Sequence, residues 1–257
     1  MKKNRGILFG SAVLVAAAIC MAGCGKGGAV SSAKKLEARL AAASGGATWD
    51  DPVPAAYRGK ETPAAVYAAL ENAGKYVSLD LSASSLTSFL TYDSDAKKLI
   101  VSLTLPDALT AIPAGDREGS AFTSLKTISA AKATTVGDYA FARCPLIDVS
   151  LPAATDIGGG AFSGCDALTS VSLPAATSIG ESAFEECDAL TGVNLPAATS
   201  IGEWAFEECD ALTGVNLPAA TSIGEWAFEN IGNLADVYSG AGTYVRDNGN
   251  DETWKKQ

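Results

Sequence analysis

Leu151, Leu173, Leu195 and Leu217 are each followed by Pro-Ala-Ala-Thr, and each stands 22 residues after the one before. A fixed period of that size means that one supersecondary unit is used repeatedly, and that neighbouring units must stack to bury what one unit cannot. The segment Leu190–Glu207 recurs unchanged at Leu212–Glu229. Upstream, Val136–Phe141 with Cys144 forms a copy one residue short, and Ala121-Phe122 marks a degenerate one. Leu103-Thr104-Leu105-Pro106 and Val77-Ser78-Leu79-Asp80-Leu81 read as the earliest strands. Six or seven coils are expected.

Within a unit, Leu168, Val171 and Leu173 have the spacing of a short strand whose alternate side chains point inward, and Pro174 removes a ladder donor after it. Ser178-Ile179-Gly180-Glu181 and its copies at Ser200 and Ser222 have the form of a capping box, so a short helix is expected to start there. Ala183, Phe184 and Cys187 then share the inner face, with Glu185 and Glu186 outside. The fold class is a repeat solenoid, with short parallel β-strands on one face and short helices or turns on the other.

The string Leu173-Pro174, Ile179-Gly180, Ala183-Phe184, Cys187 and Leu190, repeated along the chain, resembles the BspA-like, spirochaete-type leucine-rich repeats of bacterial surfaces. The resemblance covers about residues 77 to 238. The family's unit is one residue longer, which implies a tighter turn after Leu-Pro here. Members are cell-surface proteins associated with adhesion to host matrix proteins and to other bacteria. The resemblance therefore implies a protein-binding or adhesion module.

The N-terminus reads as a targeting segment: Lys2, Lys3 and Arg5 precede an apolar run from Ile7 to Ala22 that is too short to span a bilayer. Met21-Ala22-Gly23-Cys24 resembles a lipobox, which implies cleavage before Cys24 and lipidation of that residue. The expected organisation is a lipoprotein signal peptide over 1–23, a flexible tether over 24–60, a solenoid with an N-terminal capping helix over 61–238, and a C-terminal hairpin cap over 239–257. The capping helix is placed at Thr62–Ala73, with Pro63 at its first position and Gly74 as its stop. The hairpin joins Gly242–Arg246 to Glu252–Lys255 around Asn248-Gly249. The expected location is the cell envelope, lipid-anchored, on the outer membrane and exposed at the surface; membrane contact is through the lipid anchor only.

The chain contains no histidine, which removes His-based triads, the commonest general base and His-containing zinc sites. No phosphate-binding or dinucleotide fingerprint occurs either, so no enzyme, metal or cofactor is expected. The net charge of −10 argues against nucleic acid. Between Leu151 and Asn230 there are 12 acidic and no basic residues. Cys144, Cys165, Cys187 and Cys209 form one column, and Ile231 takes that place in the last coil, so these thiols read as packed, free core groups.

Two surface columns are binding candidates. The outward strand positions are Ser150, Ser172, Asn194, Asn216 and Tyr238, flanked by Asp148, Ser170, Gly192, Gly214 and Asp236. On the other side Tyr139, Gly160, Ser182, Trp204 and Trp226 align, beside Glu185, Glu207 and Glu229. Trp204 and Trp226 are either interface anchors or covers over Phe206 and Phe228. The expected partner is a protein, from host extracellular matrix or a bacterial surface. The competing expectation is a structural envelope lipoprotein whose solenoid is a spacer.

Overall fold

A computed structural model of the chain describes residues 28–91, 93–220, 222–229, 242–246 and 254–256. Each full coil contributes two strands. The longer ones, which we call sheet A, are Val53–Ala56, Val77–Asp80, Ile100–Thr104, Thr127–Ser129, Asp148–Ser150, Ser170–Ser172, Gly192–Asn194 and Gly214–Leu217. They run parallel in coil order, with the hydrogen-bonded ladder interrupted between Asp148–Ser150 and Ser170–Ser172. Sheet B is six two-residue strands, from Ala111–Ile112 to Ser222–Ile223, parallel throughout. The repeat register is kept: Val171, Val193 and Val215 align in sheet A, and Ile157, Ile179, Ile201 and Ile223 in sheet B.

The alternation read from the sequence sets the burial. Val193 and Leu195 face inward with no exposed surface, Asn194 between them is half-buried, and Ile201 closes the core from sheet B. Phe141, Phe162, Phe184, Phe206 and Phe228 stack from coil to coil at 5.2 to 5.7 Å between ring centroids. Each fully buried Leu, Ile or Phe contributes roughly 1.5–3 kcal/mol of transfer energy. One coil alone leaves both broad faces of these side chains in water, so the stabilisation is realised only by stacking.

The expected helices after Ser-Ile-Gly-Glu do not form. Ser178, Ser200 and Ser222 are strand residues of sheet B, and residues 181–186 make an arc of turns. In that arc alternate amides bond to different partners. Ser182, Phe184 and Glu186 donate to the carbonyls of Glu203, Ala205 and Glu207 in the next coil, while Glu185 donates back to Ser182. The spacing explains the choice: coils rise by about 4.8 Å, whereas a helix with its side chains is about 10 Å across. The arc turns by placing two residues per coil in the left-handed region, at Ser182 and Glu186 (φ 53° and 56°) and at their equivalents Trp204, Glu208 and Trp226. Gly160 and Gly164 hold the same positions one coil earlier (φ 58° and 66°), where glycine adopts this conformation without a Cβ clash.

The N-terminal side also departs from expectation. Over 33–57 the presumed tether is folded: helix α1 (Ala33–Ala42) and the first rung of sheet A, Val53–Ala56, lie within it. Ser32 caps α1 by accepting from the Lys35 amide. Leu36 and Leu40, whose helical spacing is visible in the sequence, are fully buried in the same core as Tyr57 and helix α2 (Pro63–Ala73). Burying these two leucines is what turns an Ala-rich stretch into structure, since its own propensity could not hold so short a helix. Helix α2 matches the expected capping helix, with Val66 and Leu70 inward and Gly74 left-handed at its end, although the Thr62 side chain makes no cap bond. Among the described residues the parallel rungs number eight rather than six or seven, because Val53–Ala56 carries none of the repeat's residues and yet pairs with Val77–Asp80.

At the other end Gly242–Arg246 pairs antiparallel with Gly214–Leu217 and with Trp254–Lys256, which is the expected hairpin. It occupies the edge that the period would have given to 236–238. Asp236 and Tyr238 lie outside the described residues, as do the 1–23 segment and Cys24. No helix among the described residues is long and apolar enough to cross a membrane.

Candidate functional site

The outer face of sheet A is a ribbon of short polar side chains. Asn216 Nδ2 donates to Asn194 Oδ1 at 2.7 Å, and Asn194 Nδ2 donates to Ser172 Oγ at 3.3 Å. These bonds orient the two amides alike, so the ladder repeats in register from coil to coil. Ser150 and Ser172 are half-buried, Ser170 is exposed, Gly192 is half-buried and Gly214 is buried. At the entry corner Thr213 and Thr191 hydroxyls donate to the carbonyls of Thr191 and Thr169. Asp148 is half-buried, and burial raises its carboxyl above the ordinary aspartate value.

One feature of this face lies outside the periodicity. Trp49, 45% exposed, sits with its ring 3.2 Å from Lys126 Nζ, and Asp50 pairs with the same ammonium at 3.3 Å. Ile147, 47% exposed, follows at this corner in the next coil and bonds through its amide to the Lys126 carbonyl. Trp49 belongs to no repeat, so no column singles it out; only the folding of 33–57 brings it here.

The second candidate surface is the arc. Trp204 and Trp226 stack on each other, centroids 5.3 Å apart and planes 11° from parallel, and Trp226 is 47% exposed. The core does not depend on them: Phe162 and Phe184 are just as buried in the coils that carry Gly160 and Ser182 at that place. Beside them the carboxylates align. Burial, followed by the nearby Glu185 and Glu229, raises the Glu207 carboxyl above its ordinary value.

That shift has a testable sign. A carboxyl that holds its proton more tightly folded than unfolded weakens the fold wherever it is ionised; the penalty is present at neutral pH and disappears as pH falls through the raised value to the usual glutamate range near ~4.3. Glu207→Gln is expected to raise the melting temperature at pH 7 by about 1–2 °C, an effect that fades at pH 4 and in high salt. Thermal melts across that pH range check it.

The cysteines sit inside. Cys165, Cys187 and Cys209 donate their thiols to the carbonyls of Phe141, Phe162 and Phe184 in the coil before, at 3.1 to 3.3 Å. All four, Cys144 included, are free and buried, and burial pushes the Cys144 thiol up to about 12. They are packing groups held as thiols, not nucleophiles. Among the described residues no group of three or more Asp, Glu or Cys is placed to hold a metal ion.

Residues 134–245 match the family model of the BspA type Leucine rich repeat region, in 6 copies. No curated protein matches the chain. Among solved structures it is similar to a leucine-rich cell surface protein from Faecalibacterium prausnitzii, at 25% identity over 48% of this chain and 31% of that one, with a TM-score of 0.39. It is similar also to a leucine-rich repeat protein from Bacteroides ovatus, at 27% identity over 51% of this chain and 35% of that one, TM-score 0.46. A leucine-rich repeat protein of T. pallidum matches at 24% identity over 63% of this chain and 78% of its own, TM-score 0.46. The chain thus spans about a third of the first two proteins' length. The 22-residue unit, the parallel rungs and the family match agree over residues 134–245, where the chain is similar to leucine-rich repeats of the BspA type.

Proposed function

We propose that this chain is a non-enzymatic, protein-binding module of the bacterial cell surface, held to the outer membrane through lipid on Cys24. It binds a protein of host extracellular matrix or of another bacterium through the face of sheet A. The supporting observation is the Ser172–Asn194–Asn216 ladder: three coils present polar edges already fixed in one orientation, so little side-chain freedom is lost when a partner docks. Asp148, Ser150 and Ser170 extend the ribbon, with Trp49 and Ile147 as apolar anchors at its corner.

The experiment is a binding screen of residues 25–257 against matrix proteins and bacterial surfaces, repeated with Asn194→Ala/Asn216→Ala and with Trp49→Ala. A loss of about tenfold or more in each variant, with the fold intact by circular dichroism, is the expected result. Binding that ignores both variants and is lost only when the 239–257 hairpin is altered would make the solenoid a spacer. For the anchor, Cys24→Ala should abolish metabolic fatty-acid labelling; unchanged labelling would remove the lipid from this reading.

A further inference from the structure

In the arc column Gly160 and Ser182 build the same left-handed turn as Trp204 and Trp226, so neither the core nor the turn requires an indole at that place. The indoles are additions to a coil that closes without them. Each is bracketed by two glutamates in its own turn. Glu203 and Glu225 precede them and are exposed, and Glu207 and Glu229 donate their amides back to the Trp204 and Trp226 carbonyls. No lysine or arginine occurs in the chain between Arg143 and Arg246, so the repeat supplies no cation of its own to these coils.

Elsewhere the chain shows what such a surface accepts. Tyr139 begins this column, and the Arg117 guanidinium lies over its ring at 5.9 Å. Trp49 likewise carries Lys126. Exposed Trp49 and half-buried Tyr139 are each covered by a basic side chain from within the chain, Tyr139 in the very column that ends in Trp204 and Trp226. A guanidinium over an indole face gains from the ring's negative quadrupole and from the adjoining carboxylates together.

We propose that the Trp204–Trp226 pair, framed by Glu203, Glu207, Glu225 and Glu229, is a docking site for an extended arginine-bearing segment of a protein partner. The charge is complementary: four carboxylates, one of them already held toward protonation by burial and then by its acidic neighbours, lose repulsion when a guanidinium enters. Planar, weakly hydrated guanidinium suits the site better than ammonium. The inference rests on the reading of the solenoid as protein-binding, but places this contact on the arc rather than on sheet A.

The probe is hexa-arginine, titrated into residues 25–257 by calorimetry at low salt, with hexa-lysine beside it. Trp204→Ser/Trp226→Ser removes the indoles in favour of the residue the column itself uses at Ser182, so the fold is retained; melting curves check this. The expected result is at least tenfold weaker hexa-arginine binding in that variant, and tighter binding of hexa-arginine than of hexa-lysine by the unaltered protein. A second variant, Glu203→Gln/Glu225→Gln, should weaken binding and flatten its salt dependence. No hexa-arginine binding at all, or binding that the double Ser variant leaves unchanged, would overturn the site as nothing more than diffuse attraction to an acidic surface. Either failure, alongside loss of partner capture by Asn194→Ala/Asn216→Ala, would leave the sheet A reading standing.

Discussion

Deleting Leu190–Ala211, one whole period, should leave a folded and shorter solenoid, whereas deleting the 11 residues Leu190–Ser200 should unfold the chain from that point onward. The first deletion joins Ala189 to Leu212, and the new neighbours reproduce the old register: Val171 meets Val215 across sheet A, and Phe184 meets Phe228 in the ring stack. The coil that leaves takes with it both the transfer energy of Val193, Leu195, Ile201 and Phe206 and the conformational entropy of ordering 22 residues, which oppose each other and are similar in size. The second deletion joins Ala189 to Ile201, and half a coil of offset sets sheet B residues against sheet A. Every inward column is then misaligned, and several side chains worth roughly 1.5–3 kcal/mol each lose their burial with no entropy returned. Circular dichroism melts distinguish the two; equal melting behaviour would mean that stacking register does not hold this fold together.

Gly202→Ala should cost about 3 kcal/mol or more, a large effect for one methyl group. An added Cβ would lie 2.5 Å from the Glu181 amide nitrogen and from the Gly180 carbonyl carbon of the coil before. Both are backbone atoms that cannot swing aside, and Gly202 itself donates to Ile179 O at 2.8 Å, so moving the coils apart breaks the sheet B ladder. The φ at Gly202 is not in the left-handed region, so the requirement is close approach and not backbone freedom. Gly224 has the same surroundings one coil on, with the Glu203 amide nitrogen in place of that of Glu181. Gly28→Ala is the control, since nothing stands within 4 Å of the added atom there. Urea midpoints of the two variants should separate clearly; a Gly202→Ala midpoint equal to the control's would show that neighbouring coils slide apart freely.

Much of the candidate surface could be read from periodicity, because a column defined by 22-residue spacing is a column in space whenever coils stack in register. Ser172, Asn194 and Asn216 align for that reason, as do Trp204 and Trp226. Trp49 could not be read in this way. It has no copies, and its place beside Lys126 depends on a contact between residues 77 positions apart in the chain's numbering.

The amino-acid sequence alone determined the stacked solenoid, its inward columns and the second helix, since each rests on local spacing that the same residue types repeat many times over. The tertiary structure decided three things that no local window contains. The Ser-Ile-Gly-Glu segments satisfy a helix start in isolation, but rungs spaced at about 4.8 Å leave no room for a helix, so the amides bond to the next coil instead. Residues 33–57 look too polar and Ala-rich to order, but the open end of the solenoid offered an apolar face that Leu36, Leu40 and Tyr57 could cover. The place beside Gly214–Leu217 went to an antiparallel hairpin strand rather than to the next period, because an edge strand's unpaired amides and carbonyls accept either direction of partner.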